Sequence, residues 1–182
     1  MEKLLIVVDF QNDFVVGPLG FEKAPSLEPA IVHLIESFEK GGDEVVFTKD
    51  LHYEDYLHTE EGRNLPVPHC IKGTAGAEFF GSVKTLSEGH KVFEKNTFGS
   101  SALFEYLCGR RYRTIALCGV DGSICVFANA VVAKSADPEA HIEVLADATG
   151  SGDEEALGRA YAAMRRLHIE VIMGPSKVGG IF

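Results

Sequence analysis

Asp9, Asp50, His52, Lys95 and Cys125 each stand near the end of a short apolar run, and their types together make a chemically meaningful set. A cysteine attacks a carbonyl carbon as its thiolate, and a free thiol with a pKa of about 8.5 is mostly protonated at neutral pH. A helix start and a nearby ammonium both lower that value, so Cys125 beside Lys95 is expected to be an ionised nucleophile. Asp50-x-His52 places two ligand-type side chains on the same side of an extended segment, and His69 returns from a later loop between prolines. A carboxylate with two imidazoles suits Zn²⁺ or Fe²⁺ with coordination positions left open. Each residue alone has a plainer explanation, as a buried thiol, a surface lysine or a solvated loop histidine. Their shared placement is the informative part.

That placement depends on the elements. Lys3 to Val8, Glu44 to Thr48, Lys91 to Glu94, Thr114 to Cys118, Ile142 to Ala146 and Ile169 to Met173 are apolar runs of strand length. Between them lie helical stripes at Ser26–Lys40, Ala77–Leu86, Ser101–Cys108, Ile124–Lys134 and a last helix ending at Leu167. Ser151-x-x-Glu154 reads as the capping box that opens this last helix. Gly41 and Gly42 close the first one. Residues 51 to 74 are polar, carry Pro66 and Pro68, and read as a long loop of the functional kind. Val- and Ile-rich strands alternating with helices predict a three-layer α/β/α sandwich around a six-stranded parallel sheet, as one domain over residues 1–182. In such sheets ligands bind outside the carboxyl ends of the strands. The acid, the lysine, the cysteine and the metal-type ligands all fall at that rim. Cys108 and Cys118 read as core filler.

Five segments then point to a family. Asp9-Phe10-Gln11-Asn12-Asp13-Phe14, Phe93-Glu94-Lys95 and Gly119-Val120-Asp121-Gly122-Ser123-Ile124-Cys125-Val126 resemble, in order, motifs of the isochorismatase-like cysteine hydrolases. Thr48-Lys49-Asp50-Leu51-His52 and Pro66-Val67-Pro68-His69-Cys70 resemble the metal-site segments of the nicotinamidase branch. The resemblance spans residues 3 to 173 and implies an Asp9–Lys95–Cys125 triad. It also implies an oxyanion hole from the backbone amides of Asp121 and Cys125, with a cis peptide between Val120 and Asp121. In that chemistry Asp9 takes the thiol proton and later delivers it to the leaving amine, and a thioester forms and is hydrolysed. Some nicotinamidases add a carboxylate to the metal site from the intervening loop. Glu60 and Glu61 are available for this role, with Glu61 favoured and His58 as a spare ligand.

Two positions depart from the pattern. Pro66 stands where nicotinamidases commonly carry a ring-stacking aromatic, and the chain has no tryptophan, so Phe14 and Phe98 are the expected aromatic walls. Gly122-Ser123 replaces the usual Thr-Asp.

Composition narrows the rest. The 182 residues carry 17 Lys and Arg against 27 Asp and Glu, a net charge of −10 that disfavours nucleic acid and anionic membranes. Leu4–Val8 is too short for a signal peptide or a membrane span, and the four cysteines form no C-x-x-C pair. Both features predict a reduced, cytoplasmic protein. Exposed helices make a homo-oligomer the expected assembly. The reading is therefore a small-amide hydrolase dependent on a divalent metal, zinc before iron, with nicotinamide the first substrate. Hydrolysis of an N-carbamoyl or ureido compound, and a non-catalytic metal- or partner-binding role, are the alternatives. A flavin or nucleotide binder is disfavoured, because Asp9 and Asp13 would repel phosphate after the first strand.

Overall fold

A computed structural model describes residues 2–174. Six parallel strands run in the order β3-β2-β1-β4-β5-β6: β1 Lys3–Val8, β2 Glu44–Asp50, β3 Lys91–Lys95, β4 Thr114–Gly119, β5 His141–Thr149 and β6 Glu170–Ile172. The alternation of side chains along β1 accounts for the two covered faces. Leu4, Ile6 and Val8 join Ile115 and Leu117 beneath α5 (Ser101–Leu107), α6 (Cys125–Ala136) and α7 (Glu154–Arg166). Leu5 and Val7 join Val45, Phe47 and Ala116 beneath α2 (Glu28–Lys40) and α4 (Gly81–Leu86). The expected three-layer sandwich is what forms. No described helix is long and apolar enough to cross a membrane.

Helix α2 follows its pattern: Pro29 sits in the first turn, Ile31, Leu34, Ile35 and Phe38 form the buried stripe, and Gly42 ends it at φ 72°. Helix α7 buries Leu157, Ala160, Tyr161 and Met164, but its cap differs from expectation. Asp153, not Ser151, is the N-cap, and its carboxylate accepts the Ala156 amide at 2.8 Å. Cys108 also differs, because it lies exposed at the C-cap of α5, where the chain leaves the core. The helix expected over Ala77–Leu86 divides into a 3₁₀ turn at Ala75–Ala77 and α4. The loop after β1 holds a short helix, α1 (Asn12–Val15), and the loop after β2 holds a turn at Tyr56–His58 and α3 (Glu60–Asn64). The tail after Pro175, for which no role was read, lies outside the described residues.

The order of strand addition reverses between β1 and β4: connections run outward to β2 and β3 on one side and to β5 and β6 on the other. The crevice at such a reversal is where open α/β sheets bind ligands. Here it is bounded by Asp9 after β1 and by the turn after β4. The two strands meet tightly. Gly119 pairs with Val8, and a Cβ on it would run into the Val8 carbonyl oxygen. Its φ of 114° is also a glycine conformation. We expect Gly119→Ala to lose upward of about 2 kcal/mol of stability, from backbone strain together with the clash. Urea denaturation followed by circular dichroism checks this; an unchanged midpoint would contradict it.

Candidate active site

Register brings the first residues together. Val8 lies beside Thr48, and Asp50 lies beside Lys95 at the ends of β2 and β3. Asp9 then turns out of β1 with φ 46°, a left-handed conformation costly for a residue with a Cβ. The turn is held by the Gln11 amide donating to the Asp9 carbonyl at 2.7 Å and the Asp9 amide donating to Thr48 at 3.2 Å. It leaves the Asp9 carboxylate fully buried, accepting the Thr48 hydroxyl on Oδ1 at 2.7 Å and facing Lys95 Nζ with Oδ2 at 2.6 Å. Lys95 Nζ also lies 3.3 Å from Asp50 Oδ1 and donates to Cys125 Sγ at 3.8 Å. The three expected residues meet, with the ammonium in the middle.

Cys125 is the first residue of α6, and Asn129 one turn later anchors it. The Asn129 amide group donates to the carbonyls of Cys125 and Phe98, while its oxygen accepts the Ser100 amide. The Val120–Asp121 peptide is cis, as the resemblance implied. Among the described residues, neither the Asp121 nor the Cys125 amide has a protein acceptor, so both are available to a ligand oxygen.

The charge states differ from one expectation. Burial, and next the Asp9 carboxylate, hold the Cys125 thiol well above the ordinary thiol range, and the Lys95 ammonium opposes them only in part. Desolvation thus works against the helix start and the ammonium that its position in the sequence suggested. Burial also raises Asp9 above the usual aspartate value, with Asp50 adding and Lys95 and Thr48 opposing. For Lys95 burial disfavours the charge, but Asp9, Cys125 and Asp50 push its pKa above the ordinary lysine value. Such a site keeps its ammonium and moves the thiol proton only as attack proceeds.

Asp50, His52 and His69 converge beside this group, with ligand atoms within 4.8 Å of one another. Both imidazole Nε2 atoms reach Asp50 Oδ2, at 2.9 and 3.3 Å, and each lies 3.6 Å from Glu61 Oε1. His52 is brought to His69 by a bridge between its backbone and the 70–72 segment. The Val67 carbonyl accepts the Nδ1 proton of His69, which points Nε2 at the two carboxylates, where it would offer a lone pair to a metal in place of a proton. Burial tends to raise Asp50, yet the hydrogen bonds from His52 and His69 and the charge of Lys95 hold it below the usual carboxylate range. For His69 burial disfavours the cation, but Asp50 and the Val67 carbonyl raise its pKa overall. Two carboxylates facing two imidazoles favour positive charge at their centre, and the donor set fits a divalent ion. Glu61 faces both imidazoles from just outside that group, whereas Glu60 and His58 are exposed and Glu60 pairs with Arg63.

The aromatic expectations divide. Phe14 is half-buried against the His69 ring at 5.4 Å, whereas Phe98 is 46% exposed at the edge of the cleft. That cleft, about 540 Å³, opens over His52 and Glu61 and is also walled by Tyr53, Leu65 and Asn96. Two supporting residues had no role in the sequence reading. Gln11 is wholly buried and clamps the end of β2, accepting the Asp50 amide and donating to the carbonyls of Asp50 and Ala77. Tyr56 wedges its ring 4.8 and 5.0 Å from the two histidine rings. A polar amide two residues beyond Asp9 was a signal for the first; Tyr56 had none.

Residues 3–174 match a family model, the isochorismatase domain. An uncharacterized isochorismatase family protein of Bacillus subtilis, PncA, is 37% identical over 143 residues, 72% of this chain and 78% of its own. The nicotinamidase/pyrazinamidase of Mycobacterium tuberculosis is 37% identical over 109 residues, 57% of either chain. The zinc complex of Pyrococcus horikoshii pyrazinamidase has a TM-score of 0.83 at 29% identity, covering 96% of this chain and 100% of that one. The sheet, the crevice and the matched domain lead to one conclusion: this chain belongs to the isochorismatase family.

Proposed function

We propose that the chain hydrolyses nicotinamide to nicotinic acid and ammonia through a thioester on Cys125. The observation that carries this reading is the meeting of Asp9, Lys95 and Cys125 beside two backbone amides without protein acceptors. The nicotinamidase/pyrazinamidase of M. tuberculosis and the P. horikoshii pyrazinamidase support the amide class. Cys125 Sγ bonds to the amide carbon as its proton passes to Asp9, and the carbonyl π electrons move to oxygen. The Asp121 and Cys125 amides receive that oxyanion; one such donor is typically worth 10²–10³ in rate. Collapse breaks the C–N bond, and Asp9 returns its proton to the departing nitrogen, which leaves as ammonia. Water then adds to the thioester, its proton goes to Asp9, and the S–C bond breaks. Asp9 restores the thiol. Lys95 keeps Asp9 ready to accept a proton and neutralises the negative charge that passes between acid and sulfur.

Asp50, His52 and His69, with Glu61 behind them, would hold a divalent ion, zinc first. When bound, the ion supplies a Lewis-acid anchor for the ring nitrogen of the substrate. Phe14 and Phe98 are the aromatic walls in place of the stacking residue that Pro66 replaces. The free thiols of Cys70, Cys108, Cys118 and Cys125 fit a reducing, cytoplasmic setting.

Cys125→Ala is expected to reduce ammonia release from nicotinamide by about 10³-fold or more in a coupled assay. Undiminished turnover would remove the thioester route. His52→Ala is expected to lower the metal content measured by plasma mass spectrometry to well under half that of the wild type. An unchanged metal content would exclude His52 as a ligand.

The acid limb of kcat/KM should lie above the ordinary aspartate value, with activity lost as pH falls through the raised pKa of Asp9. The Thr48 hydroxyl lowers that pKa. Thr48→Val should therefore shift the acid limb to higher pH, and a shift to lower pH would contradict Asp9 as the proton acceptor.

A further inference from the structure

We infer that Ser151 is a positioning residue of the oxyanion hole, holding the Asp121 amide in place through the Asp121 carboxylate. The inference rests on the hydrolase reading above and concerns how this chain manages without the usual Thr-Asp pair at Gly122-Ser123. The Asp121 carboxylate is held from both sides. Its Oδ1 accepts the Ser123 amide at 2.7 Å and the Ser123 hydroxyl at 2.6 Å, both from within the turn. Its Oδ2 accepts the Ser151 hydroxyl at 2.8 Å, the bond that ties the turn to a different element, the loop between β5 and α7.

Ser151 is suited to this: its oxygen also lies 3.3 Å from the Ser123 hydroxyl of the same turn, a longer contact than the one to Asp121. It is buried, and its oxygen accepts the Asp153 amide at 3.1 Å, which directs its proton toward Asp121. Helix α7 is capped by Asp153, so the Ser151 hydroxyl is not needed as a cap. A second tie runs alongside. The Gly122 amide donates to the Gly150 carbonyl at 2.8 Å, and a side chain at Gly122 would collide with Leu157 and Thr149. The turn therefore lies flat on the β5–α7 loop, with the carboxylate drawn toward that loop. This direction matters electrostatically, because a carboxylate free to swing toward a developing oxyanion would repel it. Asp121 and Ser151 line a groove that shares no residue with the cleft over His52 and Glu61.

The test compares wild type, Ser151→Ala and Ser151→Thr. The readouts are steady-state hydrolysis of nicotinamide, the rate of Cys125 alkylation by iodoacetamide, and the affinity for pyridine-3-carboxaldehyde. The aldehyde adds the thiol across its C=O and places its oxygen at the two amides. The alanine variant is expected to lose about tenfold in kcat, a fraction of a whole donor's worth, with KM within about twofold. Its aldehyde affinity should fall by a similar factor while alkylation, which needs no oxyanion hole, stays at the wild-type rate. Threonine, which restores the hydroxyl, should return kcat to within about threefold of wild type.

An alanine variant with kcat and aldehyde affinity both unchanged would overturn the inference. So would parallel losses in KM, alkylation and kcat, the pattern of general damage. Should wild type release no ammonia from nicotinamide, the proposed substrate fails, and the aldehyde comparison still decides the role of Ser151.

Discussion

The site depends on an ammonium held almost entirely out of solvent. Lys95 sits among Asp9, Asp50 and Cys125, each within 3.8 Å of its nitrogen, at the carboxyl ends of three strands and the start of one helix. Burying two ions costs several kcal/mol each before their attraction is counted, so such a group persists only when every member is partnered. The surroundings meet that condition. Thr48 takes one oxygen of Asp9, Lys95 faces the other, and both histidines complete Asp50. Asp50 thus belongs to two sets at once, with Oδ1 toward the lysine and Oδ2 toward the imidazoles. The metal-ligand set and the nucleophile set are electrostatically one object.

The same burial raises the cost of ionising the cysteine. A thiolate at this depth would need more than one ammonium, and that ammonium is already shared with two carboxylates. Moving the proton from sulfur to Asp9 leaves the net charge of the group unchanged, a smaller demand on a low-dielectric site than creating a new ion. Charge separation then falls on the carbonyl oxygen, where the amides of Asp121 and Cys125 stand without other acceptors. The strained φ of Asp9 and the crowding at Gly119 belong to the same economy of space. Both bring the β1 and β4 ends close enough for acid and sulfur to share one lysine.

Around this centre the two aromatic residues expected in place of the missing stacking ring stand differently. Pro66 offers no ring, Phe14 leans on His69, and Phe98 lies half open at the mouth. The cleft is accordingly a mixed surface of Tyr53, Leu65, Asn96 and Phe98 over a polar floor.

Much of this was legible in the residues themselves. The strands declared themselves because a sheet covered on both faces needs unbroken apolar runs, and Asp9 and Lys95 were conspicuous as charges closing two of them. Asp50-x-His52 was readable because a period of two puts both side chains on one side of a strand. What remained hidden was whatever depends on contacts between distant segments. Ser151 has the local signature of a cap, yet the helix is capped by Asp153, and the Ser151 hydroxyl instead meets Asp121, thirty residues away in the chain. Cys125 has the local signature of an ionised thiol, and the depth of its burial, which no neighbouring residue announces, pushes its pKa the other way. Glu61 was favoured over Glu60 in the sequence, but the side that each takes follows from how α3 turns, with Glu61 toward the histidines and Glu60 toward Arg63. Residue type and period follow from short-range sterics and the need to bury apolar surface. Charge state and hydrogen-bond partner follow from which distant groups the folded chain brings within about 3 Å, and that distance is a property of the tertiary structure alone.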